Sequence, residues 1–191
     1  TGDTMAVTEW QKNLAMRITM SRIFMVPVIV AAMWPNTLAW NIVAAACFIL
    51  ASTTDYFDGY YARKYGSVSN FGKFMDPIAD KILVTSVLAM LLSLGKIDAW
   101  MVIIILARDN FIGGIRSVAA ADQIIIDAKP AGKWKTAMQM VAIPIVIIGN
   151  MDPWIPYLDK IGYGVLWVSV ILSITSGIEY YVGYLKSRKS S

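Results

Sequence analysis

Residues 38–94 read "LAWNIVAAACFILASTTDYFDGYYARKYGSVSNFGKFMDPIADKILVTSVLAMLLSL". Two apolar runs flank a polar stretch, and four aspartates, Asp55, Asp58, Asp76 and Asp80, stand where the runs meet it. Each run approaches or exceeds the ~20 apolar residues that cross a hydrocarbon core. The pattern predicts two consecutive antiparallel transmembrane helices. At about 1.5 Å per residue, Asp55 lies roughly 25 Å beyond Leu38, close to the far edge of a core about 30 Å thick. Asp76 and Asp80 fall in the first turns of the next helix, which starts from the same side. All four acids therefore share one depth.

The same reading extends outward over the 191 residues, of which 57% are hydrophobic and only 16% charged. A soluble domain of this length carries more charge. Six spans are expected, at 18–34, 38–62, 71–94, 98–120, 134–151 and 157–185, broken at Trp34-Pro35-Asn36, 63–70, Gly95, 122–133 and Asp152-Pro153-Trp154. Six spans put both termini on one side. Of the 17 Lys and Arg residues, only Lys96 and Lys160 fall on the other side. The positive-inside rule therefore makes both termini cytosolic. Ahead of the first span, Val7, Trp10, Leu14 and Ile18 recur at helical spacing with Lys12 and Arg17 off that stripe. This predicts a short interfacial helix, with an extension of span one as the alternative. No cleavable leader is expected, and residues 1–191 are expected to form a single membrane domain. The fold class is thus all-α and polytopic.

An acid inside a transmembrane segment is costly, so four of them need a reason. Asp55, Asp58, Gly59 and Ala62 follow i, i+3, i+4, i+7, and Gly72, Asp76 and Asp80 follow i, i+4, i+8. Each set forms one helical stripe. Four converging carboxylates repel strongly in a low dielectric. Two divalent cations balance the charge, and oxygen-only donors select a hard ion, Mg²⁺ or Mn²⁺. The small residues on the stripes leave room for a bulky polar ligand, and the adjacent Arg63 suits a phosphate. The plainer alternative, ion pairs with Arg63, Lys73 and Lys81, accounts for one or two acids and not for four. The chain has no His and one cysteine, Cys47. Histidine bases, His-ligated zinc, thiolate clusters and an intramolecular disulfide are excluded.

Asp55-x2-Asp58-Gly59-x2-Ala62-Arg63-x8-Gly72-x3-Asp76-x3-Asp80 resembles the full signature of the CDP-alcohol phosphotransferase family, with every position present. The resemblance implies six transmembrane helices, a dinuclear Mg²⁺ or Mn²⁺ site, a homodimer, and transfer of a phosphatidyl group from a CDP-lipid to an alcohol with release of CMP. Asn13, Thr19, Arg22 and Pro27 in "NLAMRITMSRIFMVP" are similar to the start of the phosphatidylglycerophosphate synthase branch. "ARDNFIGGIR", with Arg108 and Arg116, and "AGKWKTAMQM", with Gly132, Lys133, Lys135, Thr136 and Gln139, resemble its fourth and fifth helices. Asp109 departs from that pattern, since bacterial relatives often carry Glu there.

The expected reaction joins CDP-diacylglycerol and glycerol 3-phosphate into phosphatidylglycerol phosphate and CMP. Asp55, Asp58, Asp76 and Asp80 are the expected metal ligands. Asp80 is also the expected base, since no histidine is available. Gly59, Ala62, Arg63, Gly72, Thr19 and Asn13 are expected to seat the CDP-lipid. Arg116, Lys133, Lys135 and Arg108 are expected to hold the acceptor's phosphate. Glu179 has no assigned role. A bacterial cytoplasmic membrane with a cytosol-facing active site is the expected location, with no nucleic-acid partner. Three other readings stand beside this one. The first is a family member using inositol phosphate or serine. The second is an intramembrane prenyltransferase, which needs more helices than 191 residues supply. The third is a metal or proton transporter, whose acids belong near the midplane.

Overall fold

The computed structural model describes the backbone at residues 9–64, 70–121, 130–149 and 156–190, and side chains at 20–54, 78–121, 132–149 and 156–188. Among the described residues there are six helices and no strand: α1 Glu9–Met33, α2 Leu38–Lys64, α3 Asn70–Ser93, α4 Ala99–Ala121, α5 Pro130–Ile148 and α6 Leu158–Ser190. Where helices follow one another closely, the breaks have local chemistry. Asn36, at φ 48°, takes the left-handed conformation that Asn tolerates. Its N–H donates to the Met33 carbonyl at 3.1 Å, and the Asn41 amide donates to its side-chain oxygen at 3.2 Å. Gly95, at φ 67°, ends α3. The Lys96 N–H reaches back to the Leu91 carbonyl at 3.0 Å, the six-to-one bond of a Schellman cap. At the end of α5, Gly149 has φ 58°, and Lys96 Nζ donates to the Ile147 carbonyl at 2.6 Å. That bond satisfies one of the carbonyls a helix end leaves open.

Two expectations change. The N-terminal interfacial helix is not a separate element, because α1 runs unbroken from Glu9 through Met33. The intervening sequence has no Gly, and its one proline, Pro27, lies well inside the helix. The fifth helix begins at Pro130, inside the stretch expected to be a loop. Proline suits a first helical position, where its missing N–H would have had no partner.

The chain divides into two units, Thr1–Met90 and Leu91–Ser191, with the division falling inside α3. In the first, α1 packs on α2. Ile29 and Met33 on α1 and Ala44 and Phe48 on α2 are fully buried. On α3 the buried residues Ala79, Leu83 and Val87 follow one another by fours. In the second unit, α6 packs against both α5 and α4. Contacts along α4 and α6 climb together: Asp98, just ahead of α4, with Tyr163, Arg108 with Ser173 and Ser176, and Phe111 with Tyr181. The two helices therefore run parallel. α5 runs against them, since its C-terminal half meets Gly162 near the start of α6. A Cβ on Gly162 would lie 2.8 Å from Ile145 Cγ2 and 3.0 Å from the Val146 backbone nitrogen. Only glycine lets these helices approach so closely.

Large apolar side chains are exposed on every helix, among them Phe24 at 74%, Trp100 at 70% and Ile178 at 60%. Exposed apolar surface this extensive marks contact with lipid or with another protein. By length and composition one described helix, Leu158–Arg188, is able to cross a membrane. Met20–Met33 and Leu38–Thr54 are shorter apolar helices.

Candidate active site

Asp55 and Asp58 lie on the continuous helix α2, and Asp76 and Asp80 on α3. The helical spacing read from the sequence is thereby realised in the backbone at both segments, with Gly59, Ala62 and Arg63 in α2 and Gly72 in α3. The side chains of Asn13, Thr19, Asp55, Asp58, Gly59, Ala62, Arg63, Gly72 and Asp76 lie outside the described residues. Asp80 is described, and it is half-buried beside the fully buried Ala79. Arg22 is 97% removed from solvent. A charged group is buried in this way only when the protein supplies it with polar company.

The basic residues of the second unit are described in detail. Arg116, in the last third of α4, is exposed, and its guanidinium lies over the Tyr180 ring at 5.3 Å from the centroid. Such a cation–π contact orients the cation while leaving its N–H groups free to donate elsewhere. Tyr180 is held by the apolar cluster Ile112, Ile115, Ala119 and Tyr184. Lys133 is exposed in the first turn of α5. Lys135 points inward and is 4% exposed. Its ammonium donates to both oxygens of Asp109, at 2.7 and 2.6 Å.

Arg108 is engaged on three sides. Its Nη1 donates to Asp109 Oδ1 at 2.9 Å, its Nε to the Ser173 carbonyl at 3.0 Å, and its Nη2 to Ser176 Oγ at 2.7 Å. Gly177 makes this possible, because a Cβ there would sit 3.2 Å from Arg108 Cγ. One turn beyond Lys135, Gln139 is buried, and its amide nitrogen has no partner among the described residues. Two cations and one carboxylate thus link α4, α5 and α6, near the middle of α4 and α6. Reading the sequence grouped Arg108, Arg116, Lys133 and Lys135 by charge and by family resemblance. It missed Asp109 as the shared partner of Arg108 and Lys135, and it missed the notch at Gly177. The visible signal was Ser169, Ser173, Ser176 and Gly177, a polar and small stripe inside an otherwise apolar helix. Glu179 is exposed on the same helix.

A family model described as CDP-alcohol phosphatidyltransferase matches residues 12–175, spanning all four aspartates and the cations Arg108, Arg116, Lys133 and Lys135. The chain belongs to the CDP-alcohol phosphatidyltransferase family. Among the family's curated members, the chain is 41% identical over 170 residues to a CDP-diacylglycerol–glycerol-3-phosphate 3-phosphatidyltransferase of Rickettsia felis, covering 89% of this chain and 94% of the relative. It is 36% identical over 194 residues to the Bacillus subtilis protein of the same name, covering 94% and 98%. To a probable phosphatidylglycerophosphate synthase of Mycobacterium tuberculosis it is 36% identical over 177 residues, covering 91% and 82%. The family match runs through both structural units, so α1 to α6 all carry family sequence.

Proposed function

We propose that this chain transfers the phosphatidyl group of CDP-diacylglycerol to glycerol 3-phosphate, giving phosphatidylglycerol phosphate and CMP. The observation that carries this reading is identity of 36–41% along about nine-tenths of the chain to relatives bearing that name. The unbroken aspartate signature on α2 and α3 supports it.

Four carboxylates on two continuous helices form a donor set of hard oxygens, which fits Mg²⁺ or Mn²⁺. Asp55, Asp58, Asp76 and Asp80 would hold two such ions. When bound, they supply charge neutralisation at the diphosphate and ease departure of CMP. Gly59, Ala62, Arg63, Gly72, Thr19 and Asn13 seat the CDP-lipid. Asp80 accepts the proton of the acceptor hydroxyl. The freed oxygen forms a bond to the phosphorus that carries diacylglycerol, and the bond from that phosphorus to CMP breaks. Direct in-line displacement needs no covalent enzyme intermediate.

A second anionic substrate needs its own cations. Arg116 and Lys133, exposed, and Lys135, behind them, bind the phosphate of glycerol 3-phosphate, with Arg108 adding its charge from within. We also place the chain in a bacterial cytoplasmic membrane, with six spans, both termini and the active site on the cytosolic side, and two copies per functional unit. The charge asymmetry and the apolar exposed faces support this arrangement.

The test is an acceptor panel. Purified protein receives CDP-diacylglycerol, Mg²⁺ and in turn glycerol 3-phosphate, glycerol, inositol phosphate, inositol or serine, and the lipid product is identified. Phosphatidylglycerol phosphate is expected from glycerol 3-phosphate, with the other acceptors poor. Equal use of glycerol and glycerol 3-phosphate would remove the acceptor assignment.

A further inference from the structure

The three-helix network in the Leu91–Ser191 unit contains a residue with no assigned role. We propose that Asp109 is a positioning residue that fixes the Lys135 ammonium for the acceptor anion, with Arg108 and the notch at Gly177 anchoring Asp109 to α6. This rests on the reading of Lys135 as an acceptor ligand.

The geometry argues for placement and against simple adhesion. Lys135 is 4% exposed, and both carboxylate oxygens of Asp109 accept from the same ammonium, at 2.7 and 2.6 Å. A two-point grip restricts a flexible four-carbon side chain more than one contact does. Asp109 is restrained in turn by Arg108 Nη1 at 2.9 Å, and Arg108 is fixed to a backbone carbonyl, Ser173, at 3.0 Å. The whole chain of contacts therefore ends on rigid helix backbone. As packing, the arrangement adds little: Lys135 is buried while Arg108 and Asp109 are part-exposed, and apolar residues of similar volume often match such ion pairs in stability. Arg116, seven residues from Asp109 and so on the same side of α4, lies toward the exposed end.

The experiment is steady-state kinetics of the purified full chain, varying glycerol 3-phosphate at saturating CDP-diacylglycerol and Mg²⁺. Lys135→Met tests the acceptor reading itself. If the acceptor KM is unchanged in that variant while transfer continues, Lys135 is not an acceptor ligand and that reading of it is wrong. If Lys135→Met raises the acceptor KM, Asp109→Asn should raise it about five- to tenfold, with kcat and the donor KM nearly unchanged. Asp109→Glu should restore most of the loss. The double variant should be no worse than Lys135→Met, because residues acting as one unit are non-additive. A normal acceptor KM in Asp109→Asn, with only a lower Tm, would make the network structural and overturn the inference. So would an Asp109→Asn effect that adds fully to that of Lys135→Met. Should Asp109→Asn fail to fold, Gly177→Ala keeps every charge and presses on Arg108. A two- to threefold rise in acceptor KM is expected there, and none would overturn the inference.

Discussion

At the residue scale the four aspartates, as the proposed metal ligands, make the sharpest predictions. Asp55→Asn, Asp58→Asn and Asp76→Asn should each reduce turnover to near background while the protein still folds, read as CMP release beside a thermal-stability control. Asp80→Asn should behave differently. Removing a proton acceptor lowers kcat but need not empty the donor pocket, so CDP-diacylglycerol binding should survive. Donor binding lost as fully as in Asp55→Asn would make Asp80 a metal ligand only. Arg116 is one of the exposed cations proposed to hold the acceptor. Losing a charge-assisted hydrogen bond to phosphate costs roughly 1.5–3 kcal/mol, so Arg116→Ala should lower acceptor kcat/KM about ten- to a hundredfold. The donor KM should move far less. The aspartates were legible in the sequence because helical spacing is a local property, visible as i, i+3, i+4 and i+7 without any tertiary knowledge. Asp109 was not legible. Its partners are Lys135, on another helix, and through Arg108 the backbone of Ser173, and no local pattern joins those positions.

At the scale of elements, the helices follow the apolar runs, and their ends follow turn chemistry. The expected span at 98–120 is the helix Ala99–Ala121, and the expected span from 38 starts at Leu38. Gly95 and Asn36 mark breaks that the sequence announced. The starts of α1 and α5 were less legible, because a polar helical turn reads as a loop or a separate helix until a neighbouring segment commits it. The closest helix contact makes a test. In Gly162→Ala the new methyl meets a backbone nitrogen at 3.0 Å, which cannot rotate away as a side-chain tip can. Overpacking of this kind costs about 1–3 kcal/mol, so Tm in detergent should fall clearly, whereas Gly164→Ala, with open space around it, should change little. Lys96 provides a pH test. Burial holds its ammonium below the ordinary value of 10.5. Between the folded pKa and 10.5 the unfolded state therefore binds more protons than the folded one, and stability rises with pH across that window. The neutral amine keeps an N–H for the Ile147 carbonyl. Lys96→Met should flatten this rise, read as Tm in detergent from neutral pH to about pH 10.

For the whole molecule, the distribution of Lys and Arg predicts sidedness. In a Cys47→Ser background, Lys160→Cys should react with a membrane-impermeant maleimide added to intact cells. Lys186→Cys should react only after permeabilisation. Reversed labelling would contradict the cytosolic placement of the active site. The central claim is that the chain joins a lipid diphosphate to a phosphorylated alcohol at a divalent-metal site formed by the four aspartates. It is tested most directly by CMP release from CDP-diacylglycerol and glycerol 3-phosphate before chelation, after EDTA, and after Mg²⁺ or Mn²⁺ is returned. The account predicts full dependence: CMP released at first, none after EDTA, and release restored by either ion in the wild type but not in Asp58→Asn. Undiminished CMP release in metal-free buffer would contradict it.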